Sequence, residues 1–148
     1  MFLSYLMLLA VVLLGIIFDL IGTAAAAADI APLNAKASRK IPGARKGVYL
    51  VQHADQVANF CSDVIGDISG IVSGTIVAFI VYRLAAGWAY HQAELYVSIA
   101  LTALVAAFTV GGKAWGKALA LSHSTDIMLW AGKFISRFEK PGRSEYSK

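Results

Sequence analysis

The stretch Asn59–Gly74, NFCSDVIGDISGIVSG, decides the fold of this chain. It is rich in small residues, it leads into an apolar run that ends near Tyr82, and it places Asp63 and Asp67 at the start of that run. A helix needs about 20 predominantly apolar residues to cross a bilayer. The stretch therefore predicts a membrane-spanning helix over residues 57–83 that carries two carboxylates.

Two further apolar stretches of suitable length predict spans over about residues 2–28 and 95–117. Of the 148 residues, 58% are hydrophobic and 15% are charged, whereas about 25% charged residues are typical of soluble domains. The predicted fold class is an all-α membrane protein with three transmembrane helices. The alternative is an unusually apolar soluble helical bundle.

The first span has a second interpretation, as a secretory signal. The small residues of GTAAAAAD, residues 22–29, are typical of a signal-peptidase site. However, no Lys or Arg precedes the apolar run, and Asp19 interrupts it. We therefore expect a true transmembrane span.

Basic residues indicate the orientation in the membrane. They concentrate between the first two spans and after the third, and only Arg83 lies between the second and third. The positive-inside rule then predicts a multi-pass plasma-membrane protein, such as one of the bacterial inner membrane, with its N-terminus outside and its C-terminus cytoplasmic. This topology accounts for the net charge of +4, so the charge gives no reason to expect nucleic-acid binding.

The remaining segments complete a single transmembrane domain over residues 1–140. Pro32, Pro42, Gly43 and Gly47 divide the first linker into short pieces, which predicts a basic helical hairpin. Over about residues 124–139, apolar residues recur at helical spacing on one face and basic residues lie on the other. This pattern predicts an amphipathic helix in the inner interface. Residues 141–148 are predicted to be a loose tail.

Glycines recur at intervals of four residues in the second span, at Gly66, Gly70 and Gly74. Small residues at this spacing let helix backbones approach closely in a bilayer, where little hydrophobic effect drives association. We therefore expect these glycines to pack against another helix.

Polar side chains inside the spans are costly and indicate a functional site. The predicted topology puts them toward one membrane face, and carboxylate and amide oxygens suit Mg²⁺. The candidate metal ligands are Asp19, Asn59, Asp63 and Asp67. The alternative is that these acids are neutralised across helices by Lys113 and Lys117.

Catalytic patterns are weak. His53, His91 and His123 are scattered over both predicted faces. The chain has no zinc spacing, nucleophile elbow or phosphate-binding loop. We expect that the protein is not an enzyme.

Three short motifs, FDLIGTA (18–24), IGDISG (65–70) and GKAWGK (112–117), resemble in order and spacing the transmembrane domain of the CNNM/CorB/CorC magnesium transport family. The matching residues are Phe18, Thr23 and Ala24 in the first motif, Ile65 and Gly66 in the second, and Gly112 and Lys117 in the third. Four positions differ from the family pattern. Gly22 and Lys113 stand where the family has Glu, Asp67 stands where it has Asn, and Gly116 stands where it has Pro.

The resemblance implies a magnesium or other divalent-cation transporter that forms a homodimer. The glycine face of the second span would provide a surface for the contact between the two copies. The family holds its cation at positions that here include Asp67 and Lys113. We expect the Lys113 ammonium to act as a surrogate for the metal. The resemblance also implies cytoplasmic CBS domains, which we expect to be lacking because the chain ends at Lys148, soon after the amphipathic helix.

Two functions remain open at this stage. The first is a divergent cation transporter-like protein, with a site that is occupied by Mg²⁺ or neutralised. The alternative is a structural or accessory membrane subunit that packs against a partner and transports nothing itself.

Overall fold

A computed structural model describes residues 2–85 and 91–138, and this part of the chain is helical with no strand. The elements are α1 (Phe2–Ala27), α2 (Ile30–Ser38), α3 (Ala44–Gln52), α4 (Ala54–Asn59), a π-helical segment (Phe60–Ile65), α5 (Gly66–Ala85), α6 (His91–Ser122) and α7 (Ser124–Phe138). The predicted tail and the residues around Trp88 lie outside the described residues.

Three helices are long and apolar enough to cross a membrane. They cover Phe2–Ala27, Ala54–Leu84 and Leu95–Ser122, so the prediction of an all-helical chain with three such helices is confirmed. The second begins before the predicted residue 57, because α4, the π-helical segment and α5 follow one another directly. The third continues beyond the predicted residue 117.

The link from α1 to α3 follows from local capping. The Asp29 side chain accepts a hydrogen bond from the backbone N–H of Ala31 at 3.1 Å and so caps α2. Pro32 lies in the first turn of α2, where its missing N–H costs no helical hydrogen bond. Gly43 has a φ of 87° before α3, a conformation that glycine adopts without steric cost.

Packing at glycines fixes the directions of the three spans. A methyl group at Gly15 would lie 3.0 Å from Cβ of Ser69, and one at Gly22 would lie 3.1 Å from Cβ of Cys61. Residue numbers thus rise along α1 while they fall along the facing helix, so the two helices are antiparallel.

The third span lies on another side of α1 and runs parallel to it. Gly112 approaches Ile16, and Gly116 approaches Ile16 and Leu20. Residue numbers therefore rise together along α1 and α6. The order of the three spans is up, down, up, with α1 in contact with both others.

The buried apolar core lies at the C-terminal end of α1, where the shorter helices meet it. Its fully buried members are Ala24, Ala25, Leu33, Ala120 and Met128. They come from α1, α2, α6 and α7, so burial of these side chains ties the shorter helices to one end of the span bundle.

Helices α3 and α7 cross with their backbones in contact. A methyl group at Gly47 would lie 3.1 Å from the Met128 carbonyl oxygen, and one at Gly132 would lie 2.7 Å from the Gly47 nitrogen. A methyl group at Gly132 would also collide with the Gly43 carbonyl oxygen. A Cβ atom at Gly132 cannot be accommodated unless this backbone moves, whereas one at Gly47 would need a shift of a few tenths of an ångström.

Candidate functional site

Asp19 is a buried charged residue in the middle of the span bundle, with 3% of its surface exposed. Its position on α1, between Gly15 and Gly22, faces the neighbouring spans. Its backbone carbonyl accepts a 2.8 Å hydrogen bond from the Thr23 hydroxyl. The carboxylate is therefore held inside the bundle, where an unpaired charge is costly.

The Asp19 carboxylate pairs with Lys117 of α6. The distance from Asp19 Oδ2 to Lys117 Nζ is 3.7 Å, which is too long for a direct hydrogen bond. Within the described residues, this oxygen has no hydrogen-bond partner. The negative charge of Asp19 is thus balanced by Lys117 of another helix, while its Oδ2 atom accepts no hydrogen bond from the described residues.

The two members of this pair differ in exposure. The Asp19 side chain is 5% exposed, whereas that of Lys117 is 53% exposed. The ammonium can move to the surface on its flexible stem, but the carboxylate cannot reach water without movement of the helices.

Lys113, one turn before Lys117, has a different contact. Its Nζ atom lies 3.4 Å from the position that a methyl group on buried Gly66 would take. No carboxylate of the described residues lies within the 4.0 Å ion-pair distance of this ammonium. The expected pairing of Lys113 with Asp19 or Asp67 is therefore not formed in the single chain, and Lys117 takes that place beside Asp19.

The other predicted ligands lie on the outside of the bundle. Asn59, Asp63 and Asp67 are exposed, whereas Asp19 is buried. Among the described residues, no group of three or more His, Cys, Asp or Glu side chains could hold a metal ion. The single chain therefore does not bring the four predicted metal ligands together.

The glycines of the second span also face different surroundings. Gly66 is buried near Lys113, but Gly70 and Gly74 are exposed and have no described atom within 4 Å of where a methyl group would lie. We call the exposed residues Asp63, Asp67, Gly70 and Gly74 the outer face. The predicted glycine packing is thus formed within the chain only at Gly66.

Sequence reasoning missed the glycines that pack the spans inside the chain. These residues are Gly15, Gly22, Gly112 and Gly116. A signal was present, because Gly15 and Gly22 lie seven residues apart on either side of Asp19, and Gly112 and Gly116 lie four apart. Both spacings keep small residues on one helix face.

Comparison of the chain with protein-family models, curated proteins and solved structures finds no match. The resemblance to the CNNM/CorB/CorC family therefore depends on the motif residues alone and stays a prediction.

Proposed function

We propose that the protein is a multi-pass membrane subunit that works within an assembly, in which another transmembrane segment covers the outer face. The observation that carries the proposal is the exposure of Asp63 and Asp67 within the Ala54–Leu84 span. A charged side chain in the centre of a bilayer costs about 2.5–3.5 kcal/mol even on the most lenient scales. Contact with a polar or charged group of another helix would remove much of this cost.

Gly70 and Gly74 support the same proposal. Both leave open space beside the helix backbone, and lipid tails gain little by filling it. Small residues of this kind mark surfaces where a second helix can approach closely. The acids supply polar attraction and the glycines supply close packing along one side of the span.

The assembly can be tested by native gel electrophoresis of complexes extracted in mild detergent from the membrane in which the protein occurs. We expect the wild type to migrate as a species larger than its single chain of 15.7 kDa. Gly70→Leu should shift it toward the single chain. Ala10→Leu, which enlarges an exposed position on α1, is the matched control and should leave the complex intact. A wild type that migrates as a single chain would contradict the proposal.

The proposed subunit has a cytoplasmic C-terminus and an α7 that lies in the inner interface. Met128 and Gly132 of α7 are buried, whereas Trp130, Phe134 and Phe138 are exposed at steps of four residues. Exposed aromatic residues beside exposed Lys and Arg suit the boundary between headgroups and acyl chains. Cysteine labelling in intact cells tests the orientation: position 92 should react from outside and position 38 should not.

Cation passage is a second candidate function, and one observation favours it. The buried Asp19 Oδ2 has no hydrogen-bond partner in the described residues, and its counter-ion Lys117 is half exposed. A tethered ammonium of this kind could be replaced by a free cation. The family resemblance would make that cation Mg²⁺.

Thermal stability with and without millimolar Mg²⁺ tests this second function. If Lys113 and Lys117 exclude the ion, Lys113→Glu and Lys117→Met should be stabilised by Mg²⁺ more than the wild type is, because a ligand that binds only the folded state stabilises it in proportion to the logarithm of its concentration. Strong stabilisation of the wild type, with no gain in the variants, would argue that the lysines are not surrogate ions. The absence of any response would leave only the assembly subunit.

A further inference from the structure

Positive charge concentrates at one end of the span bundle. Residues 29–52 and 123–148 carry ten of the 13 Lys and Arg residues but four of the nine Asp and Glu residues. The two segments follow the C-terminal ends of α1 and α6, at Ala27 and Ser122, and these helices run parallel. Both segments therefore lie at the same membrane boundary, and their acids do not balance their cations.

Two contacts join these segments to each other. Lys36 of α2 forms a 3.1 Å ion pair with Asp126 of α7. A methyl group at Gly43, at the end of the turn between α2 and α3, would lie 2.5 Å from the backbone nitrogen of Lys133 and 2.7 Å from its Cα atom. The turn is therefore packed directly against α7, which brings basic residues of both segments to one surface.

We call Arg39, Lys40, Lys133 and Arg137 the basic cluster. All four residues are exposed, and none of them forms an ion pair within the part of the chain that the structure describes. Arg39 and Lys40 lie at the turn that contacts α7, and Lys133 and Arg137 lie one helical turn apart on α7 itself. Two segments that are distant in the sequence thus present four cations near one another.

Exposed aromatic side chains border the basic cluster on α7. They belong to Trp130, Phe134 and Phe138. At about 100° per residue, their positions around the helix adjoin those of Lys133 and Arg137. Apolar rings beside cations match the boundary between acyl chains and headgroups. A soluble anion would pair with the cations but would leave the rings in water, so the combination favours a lipid.

We propose that the basic cluster binds the phosphate-bearing headgroups of anionic lipids, with the aromatic rings of α7 at the acyl-chain boundary. The inference rests on the proposed position of α7 in the inner interface, and it does not depend on the proposed assembly. It adds headgroup selectivity, which an amphipathic helix does not need in order to lie in an interface. It also assigns that selectivity to two segments jointly, the turn between α2 and α3 and the helix α7.

Quenching of Trp130 by brominated lipids tests the inference. In a Trp88→Phe/Trp115→Phe background, Trp130 is the remaining tryptophan, and it lies three residues before Lys133. The full chain is reconstituted in vesicles of equal parts phosphatidylglycerol and phosphatidylcholine, in which either one lipid or the other is brominated. We expect stronger quenching by brominated phosphatidylglycerol, because this lipid accumulates beside the basic cluster. The difference should shrink in 1 M salt, where the screening length is about 3 Å.

Variants in both segments distinguish a joint site from a single charged helix. A basic residue near an anionic surface contributes about fivefold in affinity, which corresponds to about 1 kcal/mol. Arg39→Gln/Lys40→Gln and Lys133→Gln/Arg137→Gln should therefore each bring the ratio of the two quenching constants close to one. The matched control Lys133→Arg/Arg137→Lys keeps both charges and should retain the wild-type ratio. All four positions are exposed, so the substitutions should leave the fold intact.

The other outcomes each contradict a stated part of the inference. A wild-type ratio in Arg39→Gln/Lys40→Gln would overturn the joint site. Equal quenching of the wild type by the two lipids would overturn the headgroup selectivity while leaving α7 in the interface. Quenching by neither lipid would put Trp130 outside the bilayer and would contradict the proposed position of α7 as well. Native electrophoresis tests the proposed assembly independently of all these results.

Discussion

The crossing of α3 and α7 and the outer face of α5 both depend on glycine, but the surroundings of their glycines are opposite. At the crossing, Gly132 approaches the backbone of Gly43 and Gly47 so closely that a methyl group has no room. On the outer face, Gly70 and Gly74 have no described atom within 4 Å. The crossing of α3 and α7 is packed within the chain, whereas the outer face of α5 is open to a neighbour.

The difference teaches what a glycine pattern in a sequence can predict. A missing side chain permits close approach, but it does not say which element approaches. Of the regularly spaced glycines of the second span, Gly66 is buried, whereas Gly70 and Gly74 lie on the open surface. The closed crossing combines Gly43 and Gly47, which lie four residues apart, with Gly132 from a distant segment, so the spacing does not reveal which element approaches.

The largest expected effect is at the closed crossing. Gly132→Ala places a methyl group against backbone atoms that cannot rotate away, so we expect a loss of about 3 kcal/mol in unfolding free energy, at the upper end of the usual cost of overpacking. Thermal or denaturant unfolding in detergent measures this loss. Gly111→Ala fills open space on α6 and should cause no loss, because Ala in a helix interior is favoured over Gly by about 0.5–1 kcal/mol. Equal losses in the two variants would contradict the close crossing.

The next effect concerns the buried carboxylate. Lys117→Met leaves Asp19 without its counter-ion, and breaking a fully buried pair costs about 3–5 kcal/mol. Because Lys117 is half exposed, we expect about 2 kcal/mol, a reduction that follows from solvent screening. Lys113→Met should cost less in the single chain, since it breaks no ion pair there. A larger cost for Lys113→Met in unfolding measurements would show that the assignment of the Asp19 partner is wrong.

A substitution on the outer face should affect assembly without lowering the stability of the isolated chain. No described atom lies within 4 Å of where a Cβ atom at Gly70 would lie, so Gly70→Leu should not destabilise the isolated chain, and the higher helix propensity of Leu should stabilise it by up to about 1 kcal/mol. Its assembly with the segment that covers the outer face should nevertheless weaken. Unfolding in dilute detergent and energy transfer in vesicles measure the two quantities separately. A large loss of stability in the isolated chain would mean that Gly70 is packed within the chain.

The smallest expected effect is at the ion pair between α2 and α7. Lys36 Nζ lies 3.1 Å from Asp126 Oδ1, and both side chains are substantially exposed. Lys36→Ala should therefore cost less than about 1 kcal/mol. The loss should shrink in 1 M salt, where the screening length is about 3 Å. A cost that does not depend on salt would point to packing of the Lys36 stem instead.

The sequence was sufficient for the features that depend on one segment at a time. Apolar length predicted the three helices that are long enough to span a membrane. The partner of Asp19 could not be predicted in this way, because the choice between Lys113 and Lys117 depends on the register of α1 against α6. That register is set by the contacts of Ile16 and Leu20 with Gly112 and Gly116, which no local pattern encodes.

The single chain does not bring Asn59, Asp63 and Asp67 together with Asp19, and the reason is similar. Their prediction as a metal site required all four side chains to turn toward the bundle interior, and residue spacing alone cannot say which side of a span faces inward. The structure turns Gly66 inward and leaves Asp63 and Asp67 outside. The packing of the second span against its neighbours determines which of its side chains face inward, and residue spacing does not.

The π-helical segment influences which side of the second span faces a neighbouring helix. Its hydrogen bonds link residues five apart, so it accommodates one more residue per turn than an α-helix does. Deletion of Val64 would let the span continue as an α-helix. Such a deletion would keep the outer face in its phase relative to α4, because the π-helical turn already absorbs the extra residue. Conversion of that turn to an α-helix without a deletion would instead rotate the outer face by about 100°, the rotation of one α-helical residue. A single residue in Phe60–Ile65 thus sets which side of the span is presented to a neighbour, without any change in the amino acids that form that side.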